Sequence, residues 1–136
     1  YGRTFSTLGK PLDPISQDAC AFYETQAMYK EFSGVVEEVN EGDEIAKALG
    51  DKKVIILQNH GILTTGPSVD IALWFYMSME RCCQAQLMAE AAGTPVIIPH
   101  ETAVKTRDFI ANDIAAWASY QPAYDMIIKR EPDLLD

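Results

Sequence analysis

Basic residues are scarce in this sequence, and that scarcity excludes several kinds of function. Lysine and arginine total 11 against 20 aspartates and glutamates, so the net charge is −9 and the pI is near 4.6. Without a basic cluster, this balance argues against nonspecific binding to nucleic acid or to an anionic membrane. The longest uninterrupted apolar run, 71–77, falls far short of the roughly 20 residues of a membrane-spanning helix.

Cysteines are also few, and their arrangement argues against disulfides. There are three, an odd number, and Cys82 and Cys83 are adjacent. Neighbouring helical positions point about 100° apart, which makes them poor disulfide partners. We therefore predict buried, reduced thiols in a cytoplasmic protein. Neither a CxxC nor a nearby histidine points to a structural zinc site or a cysteine nucleophile.

Several catalytic motifs are missing as well. The chain has two histidines but no HxH or HExxH, and no GxGxxG or GxxxxGK[ST] phosphate loop. One histidine cannot form a catalytic zinc site, which usually takes three protein ligands. Most carboxylates are solvated on the surface and most buried tyrosines are core residues, so other acid–base candidates are suggested by residue type alone. They are Asp18, Glu24, Glu37, Glu38, Tyr23, Tyr29, Tyr76, Tyr120 and Tyr124.

The most informative stretch is 54–66. Its apolar, β-branched beginning predicts a buried strand, followed by a polar turn, Asn59-His60-Gly61, and a second short strand. A long helix should then run from about 67 to 92, since Pro67 suits a first turn. More than one apolar stripe on that helix indicates burial on more than one side.

The remaining segments complete an α/β layered domain, or part of one. We predict the end of a helix within 1–8, a helix capped by Ser16, and a strand around 28–36. A short helix should begin at 40–43, turn Ile45, Ala46 and Leu49 inward, and end at Gly50. Another helix should span 103–118, followed by an acidic tail at 120–136 that wraps a neighbour or frays.

The two histidines have different interpretations. His60 stands at the end of a buried strand, which holds it rigidly. That position suits a metal ligand or catalytic group, and it also suits a turn residue hydrogen bonded to the backbone. His100 precedes a predicted helix, where a surface loop or helix-start role is favoured.

These segments together resemble a known family. The run Leu57–Gly66, followed by Val69–Ala72 and by Met79–Gln86, resembles the class II aldolase/adducin family. Tyr1–Ser6 resembles the helix that follows the family's HxHS metal motif, and Asp13–Asp18 resembles the loop and helix after it. The resemblance extends from the first residue to about residue 92.

The resemblance implies a three-layer α/β/α fold with a mixed, largely antiparallel sheet, of which only the C-terminal part is present. Residues 1–136 would form a single partial domain, with 119–136 as its tail. It also implies a homotetramer and a divalent metal, usually zinc. His60 would be the third metal ligand, while the HxH pair, the acid/base carboxylate and the phosphate loop would lie upstream of Tyr1.

Two functions are compatible with this family. The first is metal-dependent carbonyl chemistry on a small sugar or sugar phosphate, namely aldol cleavage, epimerisation or dehydration through an enediolate. The second is a non-catalytic, adducin-head-like domain for assembly or cytoskeletal contacts. The histidine turn occurs in both branches and does not distinguish them.

Overall fold

A computed structural model describes residues 1–31 and 39–135. Within them, no helix is long and apolar enough to cross a membrane. The elements, in chain order, are α1 (Gly2–Ser6), α2 (Gln17–Cys20), β1 (Gln26–Tyr29), α3 (Val39–Leu49), β2 (Val54–Leu57), β3 (Gly61–Thr64), α4 (Val69–Ala92), α5 (His100–Ile110), α6 (Asp113–Arg130) and a final 3-10 turn (Pro132–Leu135).

The described strands form one mixed sheet in the order β1-β2-β3. β1 and β2 are parallel, with Gln26 aligned with Val54. β2 and β3 are antiparallel, with Val54 opposite Thr64. Every residue of β2 is buried, because both faces of this central strand are covered. The predicted buried strand and its hairpin partner are therefore confirmed.

Helices cover both faces of the sheet. Val54 and Ile56 of β2 share one core with Phe5 of α1 and Phe75 of α4. Since successive side chains of a strand alternate, the buried Ile55 faces the opposite side. There α3 packs against β1 and β2. The result is an α/β/α arrangement, as expected.

Helix α4 confirms the strongest helix prediction. The Ser68 hydroxyl accepts a hydrogen bond from the Ile71 N–H at 3.4 Å and caps the first turn, and Gly93 follows the last. Its buried residues lie mostly three or four apart, on one face. Other apolar residues of α4, including Leu73, Tyr76 and Met77, are exposed in this chain.

Two sequence predictions around the first sheet edge are corrected. β1 begins at Gln26, earlier than the predicted 28–36, because its pairing with β2 starts where Gln26 aligns with Val54. The later part of that prediction lies outside the described residues. In α3, Ile45 is half-buried as expected, whereas Ala46 is exposed.

The predicted helix 103–118 is wrong, because two helices occupy this region. The Asn112 side chain accepts a hydrogen bond from the Ala115 N–H at 2.9 Å and starts α6 as a new helix. Lys53 fixes the junction, since its ammonium group donates to the Ala111 carbonyl at 3.3 Å and pairs with Asp113 at 2.6 Å. α6 then continues to Arg130, so much of the predicted fraying tail is helical.

Candidate functional site

His60 lies in the short connection between β2 and β3. Its N–H donates to the Leu57 carbonyl at 3.0 Å and closes a tight turn. Asn59, at the third position of that turn, has a φ of 61°, a conformation that asparagine tolerates better than most residues. Gly61 follows with a φ of 150°, which strongly favours glycine. The local sequence therefore specifies the backbone that presents the imidazole.

Two neighbouring elements brace this turn. The Asn59 N–H donates to the Ser6 carbonyl at the end of α1, at 3.4 Å. The Gln58 N–H donates to the Tyr29 carbonyl at 2.9 Å and so extends the pairing of β1 with β2. The backbone on both sides of β2 therefore holds the turn in place.

The other end of α1 is anchored to α4 through Glu80. The Glu80 carboxylate accepts a hydrogen bond from the Gly2 N–H at 2.6 Å and contacts the amino group of Tyr1. Gly2 also lies close to Ile62 of β3, where a side chain would clash. α1 is thus held against both α4 and β3.

A small depression of about 210 Å³ opens beside the histidine. Arg3 of α1, His60, Gly61 and Ile62 of the hairpin, and Tyr76 of α4 line it. The side chains of Arg3, His60 and Tyr76 make no hydrogen bond or ion pair with any residue that the structure describes. The depression therefore combines an imidazole, a guanidinium and a phenol whose polar atoms are open to a ligand.

The described residues fit one metal ligand but not a complete metal site. His60 is exposed and its ring is free of protein partners in residues 1–31 and 39–135, so a nitrogen lone pair is accessible. Across those same residues, no group of three His, Cys, Asp or Glu side chains could hold a metal ion. Any further ligands would have to come from outside them.

His100 belongs to a different cluster, which the sequence does not predict. It begins α5, as expected for a helix-start residue, and its Nδ1 lies 3.0 Å from the Tyr23 hydroxyl. Arg107 donates to the Tyr23 carbonyl at 3.3 Å and to the Glu24 carboxylate at 3.1 Å. Glu24 has a φ of 60°, and Arg107 holds it in place. These side chains saturate one another and tie α5 to the end of α2.

The cysteines behave as predicted. All three are free and buried. Burial raises the pKa of Cys82 and of Cys83 to about 12, and it also raises the pKa of Cys20. The thiols are therefore protonated at neutral pH, and a nucleophilic role is not supported.

The other acid–base candidates lie away from His60. Asp18 lines a larger cavity of about 460 Å³ together with Arg81, and this cavity shares no residue with the histidine depression. The Tyr29 hydroxyl donates to Glu44, and this bond is the main cause that raises the pKa of Tyr29 to about 12. The rings of Tyr120 and Tyr124 contact each other on α6. Glu37 and Glu38 fall outside the described residues.

Arg3 is the site residue that the sequence argument missed. Tyr76 was a candidate only by residue type, and it alone of the candidate tyrosines lines the depression. A signal for Arg3 exists, because it is the only charged side chain in residues 1–9. Its proximity to His60 nevertheless depends on the docking of α1 against the hairpin, which no local pattern reveals.

Comparisons with known proteins identify the family to which this fold belongs. Residues 1–87 match the model of the Class II Aldolase and Adducin N-terminal domain. Decarboxylase NovR of Streptomyces niveus is 41% identical over 134 residues, covering 98% of this chain and 50% of that protein. A second relative is the 4-hydroxy-3-prenylphenylpyruvate oxygenase/4-hydroxy-3-prenylbenzoate synthase of Streptomyces roseochromogenus subsp. oscitans. It is 40% identical, and the match covers 98% of this chain and 48% of that protein.

Solved structures give the same result. The L-fuculose 1-phosphate aldolase from Glaciozyma antarctica PI12 superposes with a TM-score of 0.88 at 38% identity, covering 98% of this chain and 50% of that one. The chain thus spans about half the length of these relatives. With a family match over residues 1–87 and a shared fold, the chain belongs to the class II aldolase/adducin family.

Proposed function

We propose that this chain forms part of an enzyme that performs metal-dependent carbonyl chemistry on a small sugar or sugar phosphate, with His60 as a metal ligand. The observation that carries the proposal is the open imidazole on a braced turn at the end of a fully buried strand. An aldolase and a decarboxylase are among the relatives. A protein of either kind stabilises negative charge that develops when a carbon–carbon bond breaks.

The role of the chain's own residues follows from the depression. A divalent metal, taken here as zinc, would act as a Lewis acid toward a carbonyl oxygen. His60 would contribute one neutral nitrogen to it. The described residues offer the His60 ring no hydrogen-bond partner, so the backbone of the turn must orient it. Tyr76 lines the adjacent wall, which supports a role for its hydroxyl in exchanging a proton with a bound ligand.

Elemental analysis tests the metal assignment. The sample is the longest native polypeptide that contains these residues, because further ligands are needed. We expect near-stoichiometric zinc in the wild type and its loss in His60→Ala. His100→Ala is the matched control, since it removes the other histidine from a cluster away from the depression. Equal metal content in wild type and His60→Ala would contradict the proposal.

A second candidate function is non-catalytic assembly, as in the adducin branch that the family model includes. It is favoured by large apolar side chains that remain exposed on α5 and α6, among them Phe109 at 80%, Ile114 at 81% and Trp117 at 49%. Such a patch marks a surface that another polypeptide segment covers. A metal-free wild-type protein that sediments as a homotetramer would favour assembly over catalysis.

The organisation of the chain is part of the same proposal. We propose that residues 1–136 belong to one class II aldolase-type domain, with 119–136 as its C-terminal tail, in a cytoplasmic homotetramer. The shared core of α1, β2 and α4 supports a single domain. Three free, buried cysteines suit a reducing compartment.

A further inference from the structure

We propose that Arg3 binds an anionic oxygen group of the substrate, a carboxylate or a phosphate, beside His60. This inference rests on the proposed function, because it assigns the substrate of the same site. Arg3 reaches the depression from α1, whereas His60 comes from the hairpin and Tyr76 from α4. A ligand in this depression would therefore meet one positive group and one phenol on different walls.

The guanidinium of Arg3 is available for a ligand. Arg107 is saturated by Tyr23, Glu24 and Asp108, and Arg130 pairs with Glu131. The side chain of Arg3, in contrast, makes no hydrogen bond or ion pair with the described part of the chain. Its five donors are presented in a planar fork that matches carboxylate and phosphate oxygens.

The charge of Arg3 favours an anionic group over a neutral one as its ligand. The chain as a whole carries a net charge of −9, which repels anions. None of the described residues that line this depression is acidic, and Arg3 is the permanently charged cation among them. An anionic ligand is repelled by the net negative charge of the chain. A nearby cation such as Arg3 offsets that repulsion and lets the ligand bind.

The backbone around Arg3 is also built to keep it in position. Glu80 holds the start of α1 through the Gly2 N–H, and the carbonyl of Ser6 holds its end against Asn59. Arg3 lies between these two anchors. The side chain is therefore presented from a fixed backbone, which reduces the entropy lost when it binds.

Isothermal titration with glycolate and with inorganic phosphate tests this assignment. The sample is the same longest native polypeptide, as wild type, Arg3→Gln, Arg3→Lys and Arg81→Gln. We expect Arg3→Gln to weaken anion binding by about 10- to 100-fold, the range for losing hydrogen bonds to a charged group. Arg3→Lys should retain part of the affinity, since charge remains but the fork is lost. The tighter probe identifies the group as carboxylate or phosphate.

Arg81→Gln is the matched control. Like the side chain of Arg3, that of Arg81 is exposed and makes no hydrogen bond or ion pair in the described residues, but it lines the larger, separate cavity. Unchanged affinity in Arg81→Gln supports the assignment. Equal weakening in the two variants, or no binding of either probe to the wild type, overturns it.

Metal analysis separates this inference from the proposed function. We expect Arg3→Gln to retain wild-type zinc while losing anion affinity, because Arg3 is not a metal ligand. If the wild type holds no metal but still binds an anion through Arg3, the proposed function fails and this inference stands. If metal is bound through His60 but Arg3→Gln binds both probes normally, this inference alone fails.

Discussion

Replacing Gln86 with leucine should destabilise the protein although the volume is nearly conserved. Gln86 is fully buried on α4 and joins the 9–15 loop to that helix. Its carbonyl oxygen accepts from the Asp13 N–H at 2.9 Å, and its amide donates to the carboxylates of Asp13 and Glu90, each at 2.7 Å. Leucine offers none of these bonds.

The magnitude follows from those three bonds. The Asp13 N–H would lose its partner, which costs about 1–3 kcal/mol if water does not reach it. The two carboxylates are partly solvated, with side chains 43% and 30% exposed, so each lost bond is discounted to about 0.5 kcal/mol. We therefore expect the free energy of unfolding to fall by about 2–4 kcal/mol in Gln86→Leu.

The assay is urea denaturation at fixed protein concentration, at pH 7 and again near pH 4. Hydrogen bonds from Lys10 and Gln86 lower the pKa of Glu90 below its ordinary value of 4.5. A carboxylate with a lowered folded-state pKa stabilises the protein above 4.5, and this contribution is lost as the pH falls through the folded-state value. The difference in the free energy of unfolding between wild type and Gln86→Leu should therefore be smaller at the lower pH.

A matched variant sharpens the test. Gln86→Glu keeps an acceptor for the Asp13 N–H but places a third carboxylate beside Asp13 and Glu90, so it should be the less stable variant at pH 7 and recover on acidification. A loss below about 0.5 kcal/mol in Gln86→Leu, the usual range for surface substitutions, would refute the reasoning.

Two further predictions concern the hairpin and the thiols. Gly61→Ala should lower the free energy of unfolding by about 1–3 kcal/mol, because alanine is strained at a φ of 150°. Gly93 has an extended backbone with open space around it, so Gly93→Ala should be nearly neutral when both variants are unfolded in the same denaturation experiment. Cys82 and Cys83 should resist iodoacetamide at pH 8 in the folded protein and react after denaturation, since burial raises each pKa to about 12; rapid labelling of the folded protein would contradict this.

The sequence predicts best those elements whose signals are local. The apolar run 54–57 and the long apolar pattern that follows Gly66 are both local signals, and the structure has both elements, although α4 begins at Val69 after the Ser68 cap and not at Pro67. The break at Ala111–Asn112 has a local signal in the Asn112 cap that the sequence prediction did not use, and a second anchor in Lys53, which is far away in the sequence. β1 begins earlier than its sequence pattern predicts because its start is set by pairing with the distant β2, in which Gln26 aligns with Val54.

The residues of the candidate site likewise differ in whether local sequence reveals them. The His60 turn can be recognised from Asn59 and Gly61, whose backbone angles match their residue types. The contribution of Arg3 cannot be recognised locally, because it requires α1 to dock between β3 and α4. Tertiary docking of separate segments therefore accounts for what sequence patterns did not predict.

The strand order has a consequence for how the chain folds. β2 and β3 are joined by a tight turn, so closing this hairpin costs little chain entropy and it can form early. Pairing of β1 with β2 aligns Gln26 with Val54, which are separated by a long segment of sequence. α1 and β3, which also contact each other, are still further apart in the sequence. We expect the hairpin to appear first in folding kinetics, with the depression assembled only when α1 arrives.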